Sequence, residues 1–431
     1  MKQKPHIATP LPGPKSQALL NKLKRLNIGY NDPYPFVHSG EGSGCYFKDI
    51  DGNVFLDFAS QIATNPLGYN HPEMTDVVRQ LKSHPVKYAG QDFTVKEHVA
   101  LLEEILTITP KDITLGFLAN SGAEAVENCI KLSLRKQKQA KFGISFEGAF
   151  HGRTLGALSC TNSKPVQKKN FLFIPMRRVP FEENAVEIIQ KMVKRECSPE
   201  EVGFIIIEPV QGEGGYRVAP KKLMQQLRAF TKTYDIPLIC DEVQSGLGRT
   251  GHWWAFEHFG IAPDIMSSAK ALQVGAALAT KKFRVESGTI SSTWGGGHTL
   301  DMALGLKTIQ VIKEQHLLFH ITKIGHYLMK RLSDVSHHRM LNKRGLGLMA
   351  AFDLPTRAAR NNVIVECARN GLILLGCGEK GIRLIPPYIV TEEEIDTAVE
   401  IIERALKHAA EPTFRHRGKI CDYLTCGEVH L

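Results

Sequence analysis

Three reactive side chains stand directly behind apolar runs that are typical of buried strands. Glu208 follows the run FIII, Asp241 follows PLIC, and Lys270 follows DIMSSA. Apolar runs of this kind alternate with helical stretches, which indicates a mostly parallel sheet covered on both faces. Because the ligands of such sheets bind beyond the carboxyl ends of the strands, the spacing predicts a ligand site there.

Lys270 and Asp241 indicate the chemistry of that site. An amine behind a buried strand loses hydration, and desolvation favours its condensation with an aldehyde to form a Schiff base. A carboxylate such as Asp241 is suited to hold a proton on a pyridine nitrogen, which keeps the ring an electron sink. Each residue alone also fits a plainer interpretation, a surface lysine with a buried stem or an ion pair in a loop. Glu242 would point the other way from the strand and is expected to be structural.

The segment NSGAEA at residues 120–125 fits a phosphate site. It lies between the apolar run LGFLA and a helical stretch, so a hydroxyl and backbone N–H groups of Ser121 and Gly122 would lie at a helix N-terminus. The same residues would also form an ordinary helix cap. The spacing Gly-x-Gly-x-x-Gly does not occur in this segment, which disfavours a nicotinamide cofactor. An amine, a carboxylate and a phosphate site together favour pyridoxal phosphate.

The composition is that of a globular chain with two or three domains. The chain has 431 residues, 43% hydrophobic and 23% charged, which are ordinary values for folded proteins. The net charge of +10 favours anionic small molecules, nucleic acid or anionic surfaces without choosing among them. No apolar run approaches the roughly 18 residues of a membrane helix. Nine scattered cysteines and a start without an apolar segment fit reduced thiols in a cytoplasmic protein.

Short strands and amphipathic helices would carry the site. Two alternating apolar runs joined by Asp51 and Gly52 predict a hairpin over residues 44–58. Further strands are predicted at KFGISF, FIIIEP, PLICDEV and PDIMSSA. Helices are predicted at Ser16–Leu26, Ala123–Arg135, Lys221–Tyr234, Asp301–Glu314, His316–Val335 and Glu392–Ala409.

Several motifs, in matching order, resemble those of class III pyridoxal-phosphate aminotransferases of fold type I. They are NSGAEA (120–125), FEGAFHGRT (146–154), IIIEPVQGEGG (205–215), CDEVQSGLGRTG (240–251), PDIMSSAK (263–270) and STWGG (292–296). The opening LPGPKS and the segment DGNVFLDFASQIATNPLGYNHPE extend the resemblance over about residues 10–410.

The resemblance implies an α/β fold with a large domain, whose mostly parallel seven-stranded sheet lies between helices, and a smaller α+β domain. An N-terminal arm and part of the small domain are expected at 1–60, and the large cofactor-binding domain at 61–300. The rest of the small domain is expected at 301–411, followed by a tail of unknown role at 412–431.

The resemblance also implies roles for residues around the cofactor ring. Lys270 would hold pyridoxal phosphate as a Schiff base and would move a proton between the substrate carbon and the cofactor. Asp241 would pair with the protonated ring nitrogen, Gln244 would lie near the 3-oxygen, and Phe150 would stack on the ring. The neighbouring His151 is expected to shape the turn.

The same resemblance places the cofactor phosphate at Ser121, Gly122 and Ala123. Thr293, in the motif STWGG, would reach this phosphate from a second subunit, so a homodimer is implied. No metal ion, nucleic acid or membrane is expected as a partner.

Substrate binding would fall to three charged residues. Arg153 resembles the arginine that takes a distal carboxylate in the 4-aminobutyrate, lysine and ornithine branches, and Arg383 resembles the one that takes an α-carboxylate. Glu213 resembles the glutamate that neutralises this second arginine when the donor has no α-carboxylate. The resemblance therefore predicts transfer of an ω-amino group from a 4-aminobutyrate-like donor to 2-oxoglutarate, giving a semialdehyde and glutamate.

The motifs leave other activities open. The run ALQVGAALA after Lys270 is closer to lysine 6-aminotransferases, and an ornithine-type aminotransferase is a further alternative. The segments LPGPKS and TNSKPVQKK resemble archaeal-type members, some of which are amino-acid racemases. From another class, the net charge allows a non-catalytic protein that binds anions or nucleic acid, although its basic residues are dispersed rather than clustered.

Overall fold

The chain folds into two compact units. The computed structural model describes residues 4–29, 34–82, 93–163, 165–291, 298–411, 414 and 418–422. The first unit comprises residues 1–72 and 320–431, and the second comprises Glu73–Phe319. The domain limits expected from the sequence near residues 60 and 300 stay a prediction.

The helices of the described chain largely follow the sequence pattern. In order they are α1 (Pro14–Leu26), the left-handed turn α2 (Ser60–Ala63), α3 (Pro72–Leu81), α4 (Lys96–Leu106), α5 (Gly122–Lys136), α6 (Leu155–Cys160), α7 (Ala185–Arg195), α8 (Lys221–Thr233), α9 (Thr299–Glu314), α10 (Leu317–Asp334), α11 (Arg357–Arg369) and α12 (Glu392–Ala409). The helices predicted from the sequence are confirmed, with ends within about two residues of those expected. None of the helices in the described ranges is long and apolar enough to cross a membrane.

The strands are mostly short. They are β1 (His38–Ser43), β2 (Tyr46–Asp49), β3 (Val54–Asp57), β4 (Ile113–Ala119), β5 (Phe142–Phe146), β6 (Met176–Val179), β7 (Val202–Ile207), β8 (Val210–Gln211), β9 (Arg217–Val218), β10 (Leu238–Asp241), β11 (Ile265–Ser268), β12 (Gly275–Thr280), β13 (Leu341–Leu346), β14 (Met349–Asp353), β15 (Leu372–Ile373), β16 (Leu375–Cys377) and β17 (Gly381–Leu384). The strands expected from the four apolar runs are β5, β7, β10 and β11.

A seven-stranded sheet forms the centre of the second unit. Its strand order is β4-β12-β11-β10-β7-β5-β6. Neighbouring strands run parallel except for β12, which is antiparallel to both β11 and β4. The mostly parallel sheet expected from the sequence is therefore confirmed.

Continuous apolar sequence explains why the central strands lie inside the second unit. β7, with the sequence VGFIII, is buried at every position, as expected for a strand covered on both faces. Val126 and Ile130 of α5 belong to one buried cluster with Phe204 and Ile206 of β7. Because burying one such side chain contributes about 1.5–3 kcal/mol, this layer holds α5 firmly against the sheet.

The first unit contains two four-stranded sheets, with orders β1-β2-β3-β15 and β13-β14-β17-β16. The expected hairpin is the antiparallel pair β2–β3, and its turn includes Gly52 at φ +89°. α12 begins with a capping box formed by Thr391 and Glu394. Arg383 lies in β17, paired with β14 and β16, and is buried.

Candidate active site

Asp241 ends β10 and is fixed by three groups. Its Oδ2 lies 2.7 Å from His151 Nδ1, and its Oδ1 accepts hydrogen bonds from the Ser267 hydroxyl at 3.0 Å and from the Val243 N–H at 3.1 Å. Ser267 stands directly opposite Asp241 in the neighbouring strand β11. The aspartate is 4% exposed, so a positive charge that meets it is attracted with little screening by water.

Lys270 lies behind β11, the strand next to that of Asp241. Because β10 and β11 are parallel neighbours, their carboxyl ends bring Asp241 and Lys270 to the same edge of the sheet. Lys270 is half-buried, and its φ of +50° lies in the left-handed region that residues other than glycine seldom adopt. Backbone strain of this kind clusters at functional sites, where the surrounding structure maintains it.

The N-terminus of α5 closes the same edge. A Cβ atom placed on Gly122 would lie 2.8 Å from Val243 Cγ1 and 3.3 Å from Ala269 Cβ. Gly122 therefore packs against the residues that follow Asp241 and precede Lys270. A larger residue at this position would push the helix away from both.

Ser121 caps α5 and leaves the helix end open to a ligand. Its Oγ accepts a hydrogen bond from the Glu124 N–H at 3.2 Å, and Ser121 itself is exposed. The first N–H groups of a helix have no partner within the helix, and the positive end of its dipole attracts anions. The expected phosphate residues Ser121, Gly122 and Ala123 thus lie together at a helix N-terminus. Thr293 lies outside the described residues.

The loop behind β5 carries Phe150, His151 and Arg153. The Arg153 guanidinium carbon lies 5.5 Å from the Phe150 ring centroid, within the range of a cation–π contact. Phe150 is half-buried and Arg153 is exposed. The His151 N–H donates to Thr161 Oγ1 at 3.0 Å, which does shape the turn. That expectation was incomplete, because the His151 ring also contacts Asp241.

Gln244 lies beside the loop that carries Glu213. A Cβ atom on Gly212 would lie 2.7 Å from Gln244 Oε1, so the two loops touch. Within the ranges that the structure describes, this buried Oε1 has no hydrogen-bond partner. Buried polar atoms are normally bonded, and an amide left open in this way suits a bound polar group.

The expected substrate residues are divided between the two units. Arg153 and Glu213 belong to the second unit, whereas Arg383 is buried in β17 of the first. The pairing of Arg383 with Glu213 stays a prediction.

Glu208 joins two loops of the site, a role that the sequence did not indicate. Its Oε1 accepts from the Phe150 N–H and its Oε2 from the Gly212 N–H, each at 2.9 Å. Burial raises the pKa of Glu208 to about 7; His151 opposes this shift and Asp241 adds to it. Near neutral pH, Glu208 therefore retains a proton more readily than an exposed glutamate would.

Glu242 is also buried but serves another part of the chain. Its Oε2 accepts from the Ser245 hydroxyl at 2.6 Å and its Oε1 from the Phe256 N–H at 2.9 Å. Burial raises the pKa of Glu242 to about 8. These contacts tie the loop behind β10 to the segment that follows it.

Sequence reasoning also missed Ser267 and the His151 ring as partners of Asp241. Ser267 carried a usable signal, since a hydroxyl within a buried strand must find an acceptor. The direction of the His151 ring carried none, because loop side chains follow no regular period.

Comparison with known proteins decides the family. The model of the family "Aminotransferase class-III" matches residues 29–406. The chain is a class III aminotransferase. Enzymes of this family depend on pyridoxal phosphate. The assignment confirms the resemblance and argues against the non-catalytic alternative.

Relatives of this aminotransferase carry several substrate names. It is 35% identical over 368 residues to the acetylornithine aminotransferase of Archaeoglobus fulgidus, covering 84% of this chain and 93% of that protein. It is 30% identical over 462 residues to a probable mitochondrial 4-aminobutyrate aminotransferase of Caenorhabditis elegans, covering 94% of each. The solved structure of the M. tuberculosis lysine aminotransferase superposes with a TM-score of 0.85 at 27% identity, over 91% of this chain and 99% of that one.

The residues of this aminotransferase fit its cofactor. The buried Asp241 suits a protonated ring nitrogen, and the open end of α5 suits a phosphate. The buried Gln244 Oε1 offers a polar contact that no group of the described residues makes.

Proposed function

We propose that this aminotransferase moves the terminal amino group of an ω-amino donor, with 4-aminobutyrate as the first to test, to 2-oxoglutarate. The products would be a semialdehyde and glutamate. The observation that carries the proposal is Arg153, an exposed guanidinium 5.5 Å from the Phe150 ring. Such a group binds a carboxylate at the end of the substrate opposite to its amine. The compounds named for two relatives, 4-aminobutyrate and acetylornithine, each carry an amine at the end of a carbon chain.

The residues of the second unit would hold the cofactor at the edge of the sheet. Bound pyridoxal phosphate supplies an aldehyde and a ring that draws electrons from the carbon bearing the substrate amine. Asp241 would keep the proton on the ring nitrogen, while Gln244 would bind the 3-oxygen and Phe150 would cover one face. The N–H groups and hydroxyl at residues 121–123 would hold the phosphate.

Lys270 would act as the acid–base group. Its Nζ would hold the cofactor through the aldehyde and would accept and return the proton of the substrate carbon that bears the amine. Lys270, whose backbone lies in the left-handed region, follows β11, the parallel neighbour of the strand β10 that ends with Asp241.

Two kinds of substrate must use one site. The donor 4-aminobutyrate has no α-carboxylate, whereas 2-oxoglutarate has one beside its reacting carbon. We propose that Arg383 binds this α-carboxylate and that Glu213 offsets the charge of Arg383 when the donor is bound, because bringing an apolar chain against a guanidinium removes water from its charge.

A donor panel tests the proposal. Turnover with 2-oxoglutarate is measured as glutamate formed, for 4-aminobutyrate, acetylornithine, lysine, ornithine and n-butylamine. We expect 4-aminobutyrate to give the highest kcat/KM. A higher value for another ω-amine would assign the enzyme to that donor, and inversion of an amino acid without use of 2-oxoglutarate would make it a racemase.

Arg153→Ala separates carboxylate binding from the rest of the reaction. It should lower kcat/KM for 4-aminobutyrate by about 10–100-fold, as expected for loss of a charged hydrogen bond, and leave n-butylamine unaffected. The matched control is Arg177→Ala, since Arg177 is also exposed and lies 5.7 Å from the Phe142 ring. Equal losses with both amines would contradict the role of Arg153.

We also propose a homodimer. Ser121 is exposed at the end of α5, so a phosphate bound there by a single chain would face solvent, and Thr293 of a second chain would cover it. Sedimentation of the full chain should give twice its mass. A monomer that binds the cofactor tightly would contradict this arrangement. The cytoplasmic location stays a prediction.

A further inference from the structure

One buried carboxylate links the two loops on which the proposed site depends. Glu208 stands behind β7 and accepts hydrogen bonds from the Phe150 N–H and the Gly212 N–H, both at 2.9 Å. Phe150 is proposed to cover the cofactor ring, and Gly212 precedes the proposed substrate residue Glu213. Glu208 is 6% exposed, so water does not compete for these bonds.

We propose that Glu208 is a positioning residue that sets the Phe150 ring and the Glu213 side chain relative to Asp241. This inference rests on the roles proposed above for Phe150 and Glu213. The ionised form of Glu208 suits the task because a carboxylate accepts at two oxygens and donates at none. Hydrogen bonds to a charged acceptor are also stronger than those between neutral groups.

The two loops that Glu208 joins are also joined by a second contact, so replacing Glu208 should change their position without unfolding them. Gln211 links the same two loops independently, because its Nε2 donates to the Glu147 carbonyl oxygen at 2.7 Å. Loss of the Glu208 carboxylate should therefore shift the two loops without detaching them. In Glu208→Gln the shape is kept, but one acceptor becomes an NH₂ group that faces a backbone N–H.

Glu242→Gln is the matched control. Glu242 is buried at the same edge, and it also accepts a backbone N–H through one oxygen, but its partners lie at Ser245 and Phe256. The same substitution at Glu242 should lower the stability of the fold without moving the loops that carry Phe150 and Gly212.

Hydrogen exchange of the holoenzyme, followed by mass spectrometry, tests the inference. In Glu208→Gln, peptides spanning 146–154 and 209–215 should exchange about tenfold faster, the equivalent of one net hydrogen bond, and kcat should fall more than KM rises. Glu208→Asp, whose shorter carboxylate reaches one loop, should speed exchange in a single peptide. Glu242→Gln should leave both peptides unchanged.

Unchanged exchange in Glu208→Gln would overturn the inference, as would equal acceleration in Glu242→Gln. Should Glu208→Gln fail to fold, Glu208→Asp decides by the same measurement, because acceleration in neither peptide would refute the link. Exchange is measured without substrate and does not depend on the donor. Faster exchange in an enzyme that ignores every ω-amine would therefore refute the proposed function and leave the positioning role intact.

Discussion

The parallel strands β10 and β11 carry one buried aspartate at each of their two ends. Asp264 lies at the amino end and Asp241 at the carboxyl end, and the two side chains have different partners. Before β11, Asp264 Oδ2 lies 2.8 Å from Arg228 Nη1 and accepts from the Leu238 N–H at 3.0 Å, while Lys282 Nζ lies 3.2 Å from Oδ1. Its charge is thus neutralised by two permanent cations within the second unit. This end of the strand pair is built for stability.

At the carboxyl end, Asp241 is held by a hydroxyl, a backbone N–H and the imidazole of His151. Of these three partners, only the imidazole can carry a charge, whereas Asp264 contacts two permanent cations. The difference agrees with the rule that parallel sheets bind ligands beyond the carboxyl ends of their strands. The same residue type stabilises the fold at one end and is proposed to serve the chemistry at the other.

The largest expected effect is that of replacing Lys270, which follows the carboxyl end of β11. Lys282, which contacts Asp264 at the other end of the strand pair, serves as its control. Lys270→Ala should reduce turnover by about 10⁴-fold or more, because it removes the acid–base group, and should abolish the visible absorption of bound cofactor. Lys282→Ala should leave kcat unchanged and lower stability by about 1 kcal/mol or less. Steady-state kinetics and absorbance of the purified proteins check both. Substantial turnover by Lys270→Ala would refute the assignment of the site.

Neutralising each aspartate should separate activity from stability. Asp241→Asn should lower kcat on the order of 10³-fold, since an amide cannot hold the proton on the ring nitrogen, with a smaller loss of stability. Asp264→Asn should cost about 3–5 kcal/mol, because it leaves the buried Arg228 without its partner charge, while the folded fraction keeps its kcat. Urea denaturation and single-turnover kinetics measure the two effects. If both variants lost the same property, the contrast would be wrong.

The buried glutamates should make stability depend on pH in the opposite sense to an ordinary ion-paired carboxylate. Burial raises the pKa of Glu242 from 4.5 to about 8, so between these values the folded state holds a proton that the unfolded state releases. The contribution of Glu242 to stability is therefore full below pH 4.5 and is lost as the pH rises toward 8, by up to about 1.4 kcal/mol per pH unit.

Glu242→Gln isolates this contribution because glutamine does not titrate. The free energy of unfolding of the wild-type chain minus that of the variant should fall from pH 5 to pH 8 in urea titrations. A difference that grew with pH would mean that the hydrogen bonds from Ser245 and Phe256 outweigh the cost of burial.

Much of the sheet could be predicted because short stretches of its sequence are enough to identify the strands. The run FIII at β7 is continuously apolar, and the runs of β5, β10 and β11 alternate with helical stretches. Asp241 and Lys270 could be placed at one edge of the sheet because strand ends are apparent in the sequence. The antiparallel β12 was not foreseen, since an apolar run does not reveal strand direction.

The contacts of the site were harder to foresee than its residues. The hydrogen bond between His151 and Asp241 joins positions far apart in the chain, through a loop whose side-chain directions follow no period. Glu208 was recognised at a strand end, but its bonds to Phe150 and Gly212 depend on where two loops converge. Such convergence is fixed by tertiary packing, which local sequence does not encode.

The smallest expected effect concerns an ion pair on the surface of the second unit. It tests whether burial, rather than distance, determines how much an ion pair contributes to stability. Lys313 Nζ of α9 lies 2.6 Å from Glu104 Oε1 of α4, closer than Arg228 lies to Asp264, yet both side chains are partly exposed. Exposed pairs gain little because water screens the charges and because holding two long side chains in one geometry costs conformational freedom. Lys313→Ala should therefore cost less than about 1 kcal/mol and weaken further in high salt, as measured by urea midpoints at two ionic strengths. A cost comparable to that of Asp264→Asn would show that distance, rather than burial, governs these pairs.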